Sequence, residues 1–165
     1  VRVPVTIRVP SDQPTIQSAI NVATFGDTVL VAPGTYPENI NFGGKAITVT
    51  SESGPQVTVI DGGNADSVAI FNSGEGRGSV LNGFTLQNGR PPSSRSSQGG
   101  GILIQNSSPT ITNNVITNNQ ACEGAGIGIS LSSPLIQLNT ITGNHNICSG
   151  QGGGISIRGL LLRRS

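Results

Sequence analysis

The chain has 165 residues, a formal net charge of +1 at pH 7, 24 Gly and 10 Pro, with 3% aromatic and 10% charged residues. So few aromatic side chains predict a thin core of Val, Ile and Leu rather than the core of a typical sandwich or bundle. The near-neutral charge, without a basic patch, argues against a nucleic-acid partner. No apolar run approaches the roughly 20 residues of a membrane-spanning helix, so no membrane span is predicted.

The first predicted element is a helix within residues 11–26, which caps the rest of the fold. Its apolar residues follow the i, i+3, i+4, i+7 spacing of one helix face: Ile16, Ala19, Ile20 and Ala23. Pro14 suits the first helical turn and Gly26 the exit. A strand follows and ends at Pro33-Gly34, and from there to residue 157 only short apolar alternations occur.

The later strands repeat at an offset of 25 residues, with an offset of 30 upstream, between 81–89 and 111–119, and of 28 downstream, between Gly126-Ile127 and Gly154-Ile155. Gly101-Ile102 matches Gly126-Ile127, and Asn114–Thr117 matches Asn139–Thr142. A repeat of this size, with two or three short strands and no helix, predicts a parallel β-helix whose coils stack about 4.8 Å apart. Equivalent residues should then form columns along the axis.

The expected columns alternate inward and outward. The inward columns are Leu86, Ile116 and Ile141, and Ile102, Ile127 and Ile155, the second headed by Val68. The neighbouring outward column is Gln87, Thr117 and Thr142, with Asp61 as an earlier member. Asn114 and Asn139 share a third column with Phe84, so we expect their amides to form a structural ladder between coils.

The chain has two cysteines, Cys122 and Cys148. Their separation is one more than the repeat, which places them on adjacent coils at a distance that suits a disulfide. We therefore predict a Cys122–Cys148 bridge and an oxidising, extracellular setting. A zinc site is disfavoured, because His145 and two cysteines lack a fourth ligand.

Candidate binding residues cluster where the repeat length varies. The segments 90–100, 118–125 and 143–153 should stack at one corner of the coils, and loops on a rigid scaffold are common binding sites. That corner carries the candidate ligand-binding residues Arg90, Arg95, Glu123 and His145. The alternative interpretation is a set of solvated loops with scattered charges.

The quoted patterns resemble the right-handed parallel β-helix (pectin-lyase-like) superfamily, over about residues 5–165. "VPSDQPTIQSAI…GDTVLVAPGTYPENI" is similar to its N-terminal caps, and "SVLNGFTLQNG" and "SSPTITNNVITNN" are similar to repeats of bacterial secreted and surface members. The resemblance implies one all-β, right-handed, single-stranded domain of about five to six coils. We expect the cap helix at 11–26, the coils at 27–159 and a tail at 160–165, in a whole protein or a fragment of a longer helix.

The superfamily includes polysaccharide lyases, hydrolases and esterases, but no complete catalytic set is recognisable here. The acidic residues are spread one or two per coil, so neither a calcium site nor a close carboxylate pair is predicted. Asp61 is the nearest catalytic candidate, although an outward turn carboxylate is the preferred interpretation. We expect no metal and no cofactor, and the balance leans slightly away from an enzyme.

Two functions follow as hypotheses. The first is an extracellular polysaccharide-binding or carbohydrate-active module that works at the variable corner. The second is a non-enzymatic structural or adhesive scaffold that self-associates through an open C-terminal coil. Leu160, Leu161 and Leu162 would either fold over that coil or leave its edge free to pair with another chain.

Overall fold

The computed structural model describes residues 2–93, 98–149 and 152–159. Arg95 and the tail at 160–165 lie outside these ranges. The described strands are β1 Thr6–Val9, β2 Thr28–Val31, β3 Gly34–Pro37, β4 Ile40–Asn41, β5 Thr48–Ser51, β6 Thr58–Asp61, β7 Ala69–Phe71, β8 Val80–Asn82, β9 Thr85–Gln87, β10 Ile102–Gln105, β11 Thr110–Thr112, β12 Val115–Thr117, β13 Gln120–Ala121, β14 Ile127–Ser130, β15 Leu135–Gln137, β16 Thr140–Thr142, β17 His145–Asn146 and β18 Ile155–Arg158. The described helix is α1, Ile16–Val22.

The strands form three main sheets in which every pair is parallel. Sheet A has the order β1-β2-β5-β8-β11-β15, sheet B has β16-β12-β9-β6-β3, and sheet C has β18-β14-β10-β7-β4. The chain visits sheets A, B and C in turn, so the coils consist of β2–β4 (coil 1), β5–β7 (coil 2), β8–β10 (coil 3), β11, β12 and β14 (coil 4), and β15, β16 and β18 (coil 5). The predicted all-β parallel β-helix of about five to six coils is confirmed, with five coils, preceded by β1, among the described residues.

The coils are held in register by the predicted inward columns. Ile116 pairs with Leu86 on one side and with Ile141 on the other. Ile127 likewise pairs with Ile102 and Ile155. Val68 as head of that second column is wrong by one residue, because Ala69 pairs with Ile102. The segment between β6 and β7 is shorter than the equivalent segments of coils 3, 4 and 5, so the repeat does not fix the first residue of β7.

The core is narrow and mostly aliphatic, as the composition predicted. It also contains three phenylalanines, which the composition did not predict to be buried. Phe42, Phe71 and Phe84 are fully buried, and the rings of Phe42 and Phe71 have centroids 4.4 Å apart. Phe84 lies at the corner between sheets A and B, Phe71 ends β7, and Phe42 directly follows β4. The middle of each sheet is filled by Val, Ile and Leu, as expected for so thin an interior.

The helix α1 begins later and ends earlier than the predicted range of 11–26. Thr15 is its N-cap, with a capping box in which Thr15 and Ser18 bond each other's backbone N–H groups. Pro14 therefore precedes the cap instead of lying in the first turn. The predicted apolar face, which ends at Ala23 just beyond the helix, is buried, so α1 covers the core at the N-terminal end.

Each corner of the coils contains residues with a left-handed backbone. Between sheets A and B these are Gly83, Asn113 and Leu138, with φ of 83°, 55° and 56°. Between sheets C and A, Asn106 and Leu131 have φ of 50° and 49°. Asparagine and glycine tolerate this conformation, whereas it is strained for leucine. The two leucines of coil 5 are thus exceptions to a rule that the earlier coils obey.

Candidate functional site

The segments of variable length lie at the corner between sheets B and C, and their described residues are 88–93, 98–101, 118–126, 143–149 and 152–154. We call this the loop corner. The loops of coils 4 and 5 are paired through β13 and β17, with Gln120 opposite His145 and Ala121 opposite Asn146. This added pairing gives the corner a regular backbone along part of its length.

A ladder of asparagine side chains holds the backbone in place at the start of these loops. The Oδ1 of Asn119 accepts the backbone N–H of Gly89 at 2.8 Å, and the Oδ1 of Asn144 accepts the N–H of Asn119 at 3.1 Å. Asn119 Nδ2 donates to the carbonyl of Leu86 at 3.0 Å, and Asn119 is fully buried. Sequence reasoning missed this ladder, although Asn119 and Asn144 show the same offset of 25 that revealed the repeat.

The predicted Cys122–Cys148 disulfide is present, with Cα atoms 4.7 Å apart. It joins the loops of coils 4 and 5 directly after the β13–β17 pair. The backbone N–H of Ile147 donates to the Ala121 carbonyl at 3.0 Å, and the N–H of Cys148 donates to Asn146 Oδ1 at 2.9 Å. The two loops are therefore joined by covalent and hydrogen bonds at the same place.

A cavity of about 410 Å³ opens beside the disulfide. Its lining comes from four consecutive coils: Asn64 and Ala65 from coil 2, Arg90, Pro91, Pro92 and Ser93 from coil 3, Cys122 from coil 4, and Ile147 and Cys148 from coil 5. Since coils stack about 4.8 Å apart, such a cavity runs roughly 14 Å along the axis. It is open to solvent and elongated.

Arg90 is the charged side chain among the residues that line this cavity. It is exposed, and its backbone N–H donates to the Asp66 carbonyl at 2.9 Å, which fixes the start of its loop on the coil below. The next residue, Pro91, is buried and restricts the backbone further. A guanidinium on a fixed backbone can bind a carboxylate or another planar anion with two parallel hydrogen bonds.

Glu123 lies outside the cavity lining, on the side of the loop corner that faces sheet C. Its Oε2 accepts the Nε2 of Gln98 at 2.9 Å, and its Oε1 is ion-paired with Arg158. Its side chain is only 16% exposed. The bridge between Gln98 and Glu123, and the contact with Arg158, make this carboxylate a link between three successive coils.

His145 also lies outside the cavity lining. It begins β17 and is exposed, and its backbone N–H donates to the Asn119 carbonyl at 2.8 Å. The structure therefore brings only Arg90, of the described candidates, to the cavity. Arg95 lies outside the described residues.

Asp61 occupies the predicted outward column beside Gln87. Its Oδ2 accepts Gln87 Nε2 at 2.9 Å and Asn88 Nδ2 at 2.8 Å, and its Oδ1 accepts the N–H of Gly63 at 3.0 Å. Burial raises the pKa of Asp61, but these hydrogen bonds outweigh it and lower the pKa below its ordinary value. Such a carboxylate stays ionised and holds the turn after β6.

Asn114 and Asn139 form a second ladder at the corner between sheets A and B. Asn114 Oδ1 accepts the N–H of Phe84 at 3.0 Å, and Asn139 Oδ1 accepts the N–H of Asn114 at 2.9 Å. Asn114 Nδ2 also donates to the Leu81 carbonyl at 3.0 Å. These bonds satisfy buried backbone groups, which is a structural role.

Sequence reasoning also missed two buried carboxylates, Asp27 and Glu75. Asp27 accepts both terminal nitrogens of Arg2, at 2.8 and 2.7 Å, and the N–H of Val5 at 2.8 Å. Glu75 accepts Ser107 Oγ at 2.7 Å and the N–H of Gly44 at 2.8 Å. Both carboxylates tie distant turns together.

The pKa of each buried carboxylate is lowered. For Asp27 the cause is the bond from Arg2 followed by backbone N–H donors. For Glu75, burial raises the pKa, and the bonds from Ser107 and three backbone N–H groups outweigh it. Spacing gave no sign of these residues, because neither recurs in the repeat.

The described residues contain no group of three His, Cys, Asp or Glu side chains that could share a metal ion. No helix in the described part of the chain is long and apolar enough to span a membrane.

Comparison with known proteins gives one match. The model of the family described as "Protein of unknown function (DUF1565)" matches residues 40–162, from β4 past the last described strand. No curated protein and no solved structure matches the chain.

Proposed function

Since the chain belongs to the DUF1565 family, whose description assigns no activity, we propose a function from the geometry: an extracellular module that binds an acidic polysaccharide at the loop corner. The observation that carries the proposal is the elongated cavity of about 410 Å³ that contains Arg90 and adjoins the disulfide. It runs along the axis over four coils. An elongated, open site of this kind suits a linear polymer better than a compact small molecule.

The chemistry of the lining favours a ligand that is both anionic and amphipathic. Arg90 supplies the positive charge, while Asn64 and Ser93 supply neutral hydrogen-bonding groups. Pro91, Pro92 and Ile147 form apolar surface against which the carbon face of a sugar ring can pack. A carboxylated or sulfated sugar chain matches all three kinds of contact.

The rigidity of the corner supports this proposal. A preformed site spends less binding free energy on ordering its own loops. Here the disulfide, the β13–β17 pair and the Asn119–Asn144 ladder hold two of the contributing loops before any ligand arrives. The module would thus recognise its ligand with little rearrangement.

We propose that the protein is extracellular. We also propose that it belongs to the right-handed parallel β-helix (pectin-lyase-like) superfamily, whose secreted and surface members have repeats similar to those of this chain. The disulfide supports an oxidising compartment, because such bonds are rare in the cytosol. The five stacked coils with a helical cap support the superfamily assignment.

The test is calorimetric titration with two oligosaccharides of equal length, oligogalacturonate and the neutral malto-oligosaccharide. We expect binding of the acidic chain, and a loss of roughly tenfold or more in affinity for Arg90→Gln, because a charge-assisted bond is removed. Arg77→Gln is the matched control, since Arg77 is also exposed and does not line the cavity. Equal binding of parent and Arg90→Gln would contradict the proposal.

The same samples also test for catalysis and for the remaining candidates. Glu123→Ala and His145→Ala should bind like the parent, because neither side chain lines the cavity. Product analysis of the oligosaccharide after incubation distinguishes a binding module from a depolymerising enzyme. A binding defect in either variant would move the site to the sheet C side of the corner.

A second candidate function is a structural scaffold that associates through coil 5. The observation in its favour is that the inward residues Ile155 and Ile157 are 42% and 58% exposed, whereas their partners Ile127 and Ile129 are 0% and 4% exposed. Within the described residues, these two side chains therefore add apolar area to coil 5, and apolar patches are typical of association sites.

A further inference from the structure

A second cavity, of about 160 Å³, lies in the N-terminal half of the molecule, where β1 meets the first two coils. Its lining comes from β1 and the turn after it, from coil 1 and from coil 2, and includes Arg8, Pro10, Ser11, Leu30, Ala32 and Glu52. Described strands lie on both sides of its floor, because sheet A runs there in the order β1-β2-β5. The cavity shares no lining residue with the loop corner, so its function is independent of the glycan proposal.

Arg8 and Glu52 approach each other across coil 1. Arg8 of β1 pairs in register with Leu30 of coil 1, and Glu52 directly follows β5 of coil 2. Arg8 Nη1 lies 3.7 Å from Glu52 Oε1, which is too far for a hydrogen bond, and the two side chains are 57% and 47% exposed. Neither side chain has another partner within the described part of the chain. Both charged groups therefore keep free hydrogen-bonding capacity at the cavity.

The backbone that carries these two charges is held in place by its own hydrogen bonds. The N–H of Arg8 donates to Asp12 Oδ2 at 2.7 Å, and the carbonyl of Arg8 accepts the N–H of Asp12 at 2.9 Å. The N–H of Glu52 donates to the Val31 carbonyl at 2.8 Å. A ligand therefore orders two side chains but no loop, which keeps the entropic cost of binding small.

The rest of the lining adds one neutral polar group and an apolar surface. Ser11 is exposed, and among the described residues neither its hydroxyl nor its backbone N–H has a hydrogen-bond partner. Leu30, Ala32 and Pro10 provide the apolar part. The cavity thus offers a cation, an anion, a hydroxyl and a small apolar surface within one short distance.

The spacing of the two charges selects a zwitterion over a single ion. In an α-amino acid the ammonium nitrogen and the carboxylate oxygens are about 3 Å apart, close to the 3.7 Å between Arg8 and Glu52. The ligand's carboxylate can then contact the guanidinium while its ammonium group contacts the Glu52 carboxylate. The four charges alternate in sign, so every near neighbour is attractive. A simple anion would instead be repelled by Glu52, and a simple cation by Arg8.

The size of the cavity limits the ligand. Its volume equals that of about five water molecules in the liquid, which suits a ligand of about five to eight non-hydrogen atoms. Small α-amino acids fall in this range. The apolar part of the lining favours those with a short aliphatic side chain.

We propose that this cavity binds a small α-amino acid as its zwitterion. The carboxylate lies on Arg8, the ammonium group lies on Glu52, and the side chain packs against Leu30 and Ala32.

The test is a titration of the isotope-labelled protein with L-alanine, followed through the NMR shifts of the backbone amides of Ser11 and Glu52. We expect saturable shifts with a Kd of roughly 1–10 mM, since the contacts are few and exposed. Propionate and ethylammonium, which each lack one charge of alanine, should bind roughly tenfold more weakly or worse at equal ionic strength.

Variants of the lining separate the charges from the shape. Arg8→Gln and Glu52→Gln should each weaken L-alanine binding roughly tenfold or more, because each removes a charge-assisted hydrogen bond. Ala32→Leu should abolish binding by filling the cavity while both charges remain. All three should melt close to the parent, because exposed ion pairs contribute little to stability. Arg77→Gln is the matched control, since Arg77 is an exposed cation that does not line the cavity.

Exchanging the two charges gives a further readout. Arg8→Glu combined with Glu52→Arg restores the pair with reversed polarity, so L-alanine should bind again in the opposite orientation and recover affinity that either single change loses. Three results would overturn the proposal: no saturable shift at Ser11 and Glu52, propionate binding as tightly as L-alanine, or parent-like affinity in Glu52→Gln.

Discussion

At the residue scale, asparagine is the side chain on which the corners of this fold depend. Its amide carries both a donor and an acceptor on a short side chain, so one residue can satisfy both an N–H and a carbonyl of the preceding coil. Asn114 does this with Phe84 and Leu81, and Asn119 does it with Gly89 and Leu86. Leucine or valine in the same column would leave those buried groups unbonded.

Replacing Asn114 by leucine should therefore lower the free energy of unfolding by about 2–4 kcal/mol, because two buried backbone groups lose their partners. Chemical denaturation measures the change. Asn113→Gly is the matched control: Asn113 is exposed, its equivalent in coil 3 is Gly83, and its change should stay within about 0.5 kcal/mol. Equal stabilities for Asn114→Leu and the parent would remove the ladder from the account of the fold.

At the element scale, the repeat predicted the strands well and the loops poorly. An offset of 25 identifies which strands pair and which residues face inward, because parallel stacking places equivalent residues together, as for Ile116 and Ile141. It says nothing of a loop that does not repeat. The conformation of such loops decides that Asn64 lines the cavity and that Glu123 and His145 do not.

The short helix α1 shows how tertiary contacts replace intrinsic stability. Seven residues are too few for a stable isolated helix. Coil 1 holds both of its ends: the carboxylate of Glu38 accepts the N–H groups of Ile16 and Gln17, at 2.9 and 2.8 Å. At the other end, the ammonium of Lys45 donates to the carbonyls of Ile20, Asn21 and Ala23, at 2.8, 2.6 and 2.8 Å. The negative charge of Glu38 at the N-terminus and the positive charge of Lys45 at the C-terminus also interact favourably with the helix dipole.

Lys45→Met should thus lower the free energy of unfolding by about 1.5–3 kcal/mol, since the aliphatic part of the side chain is kept and only the charged hydrogen bonds are lost. Hydrogen exchange should show faster opening of α1 than of β10 or β14. Arg77→Met is the control, because Arg77 is an exposed cation whose loss should change stability by less than about 0.5 kcal/mol. Unchanged exchange in α1 would show that packing of its apolar face suffices.

At the scale of the whole molecule, few contacts link positions that the repeat does not already connect. Asp27 joins the N-terminal segment to the first strand of coil 1 through Arg2 and Val5. Glu75 joins the C-to-A corners of three successive coils through Gly44 and Ser107. Each of these carboxylates accepts hydrogen bonds from several donors. The stability of the N-terminal half of the molecule therefore depends on both carboxylates staying ionised.

Acid should therefore destabilise the protein in a defined window. The pKa values of Asp27 and Glu75 are lowered in the folded protein from ordinary values of 3.8 and 4.5. A lowered folded pKa gives stability that is present above the ordinary pKa and is lost as the pH falls through the folded one. The melting temperature should be constant from about pH 7 to 5 and fall steeply below about pH 4.

Glu75→Gln isolates one part of this effect. Glutamine is neutral in both states, so the variant should lose stability at neutral pH yet show a smaller drop between neutral and acid pH than the parent. Scanning calorimetry across this range measures both slopes. Identical slopes for parent and variant would mean that Glu75 has the same pKa folded and unfolded, and that its bonds to Ser107 and Gly44 do not favour the ionised form.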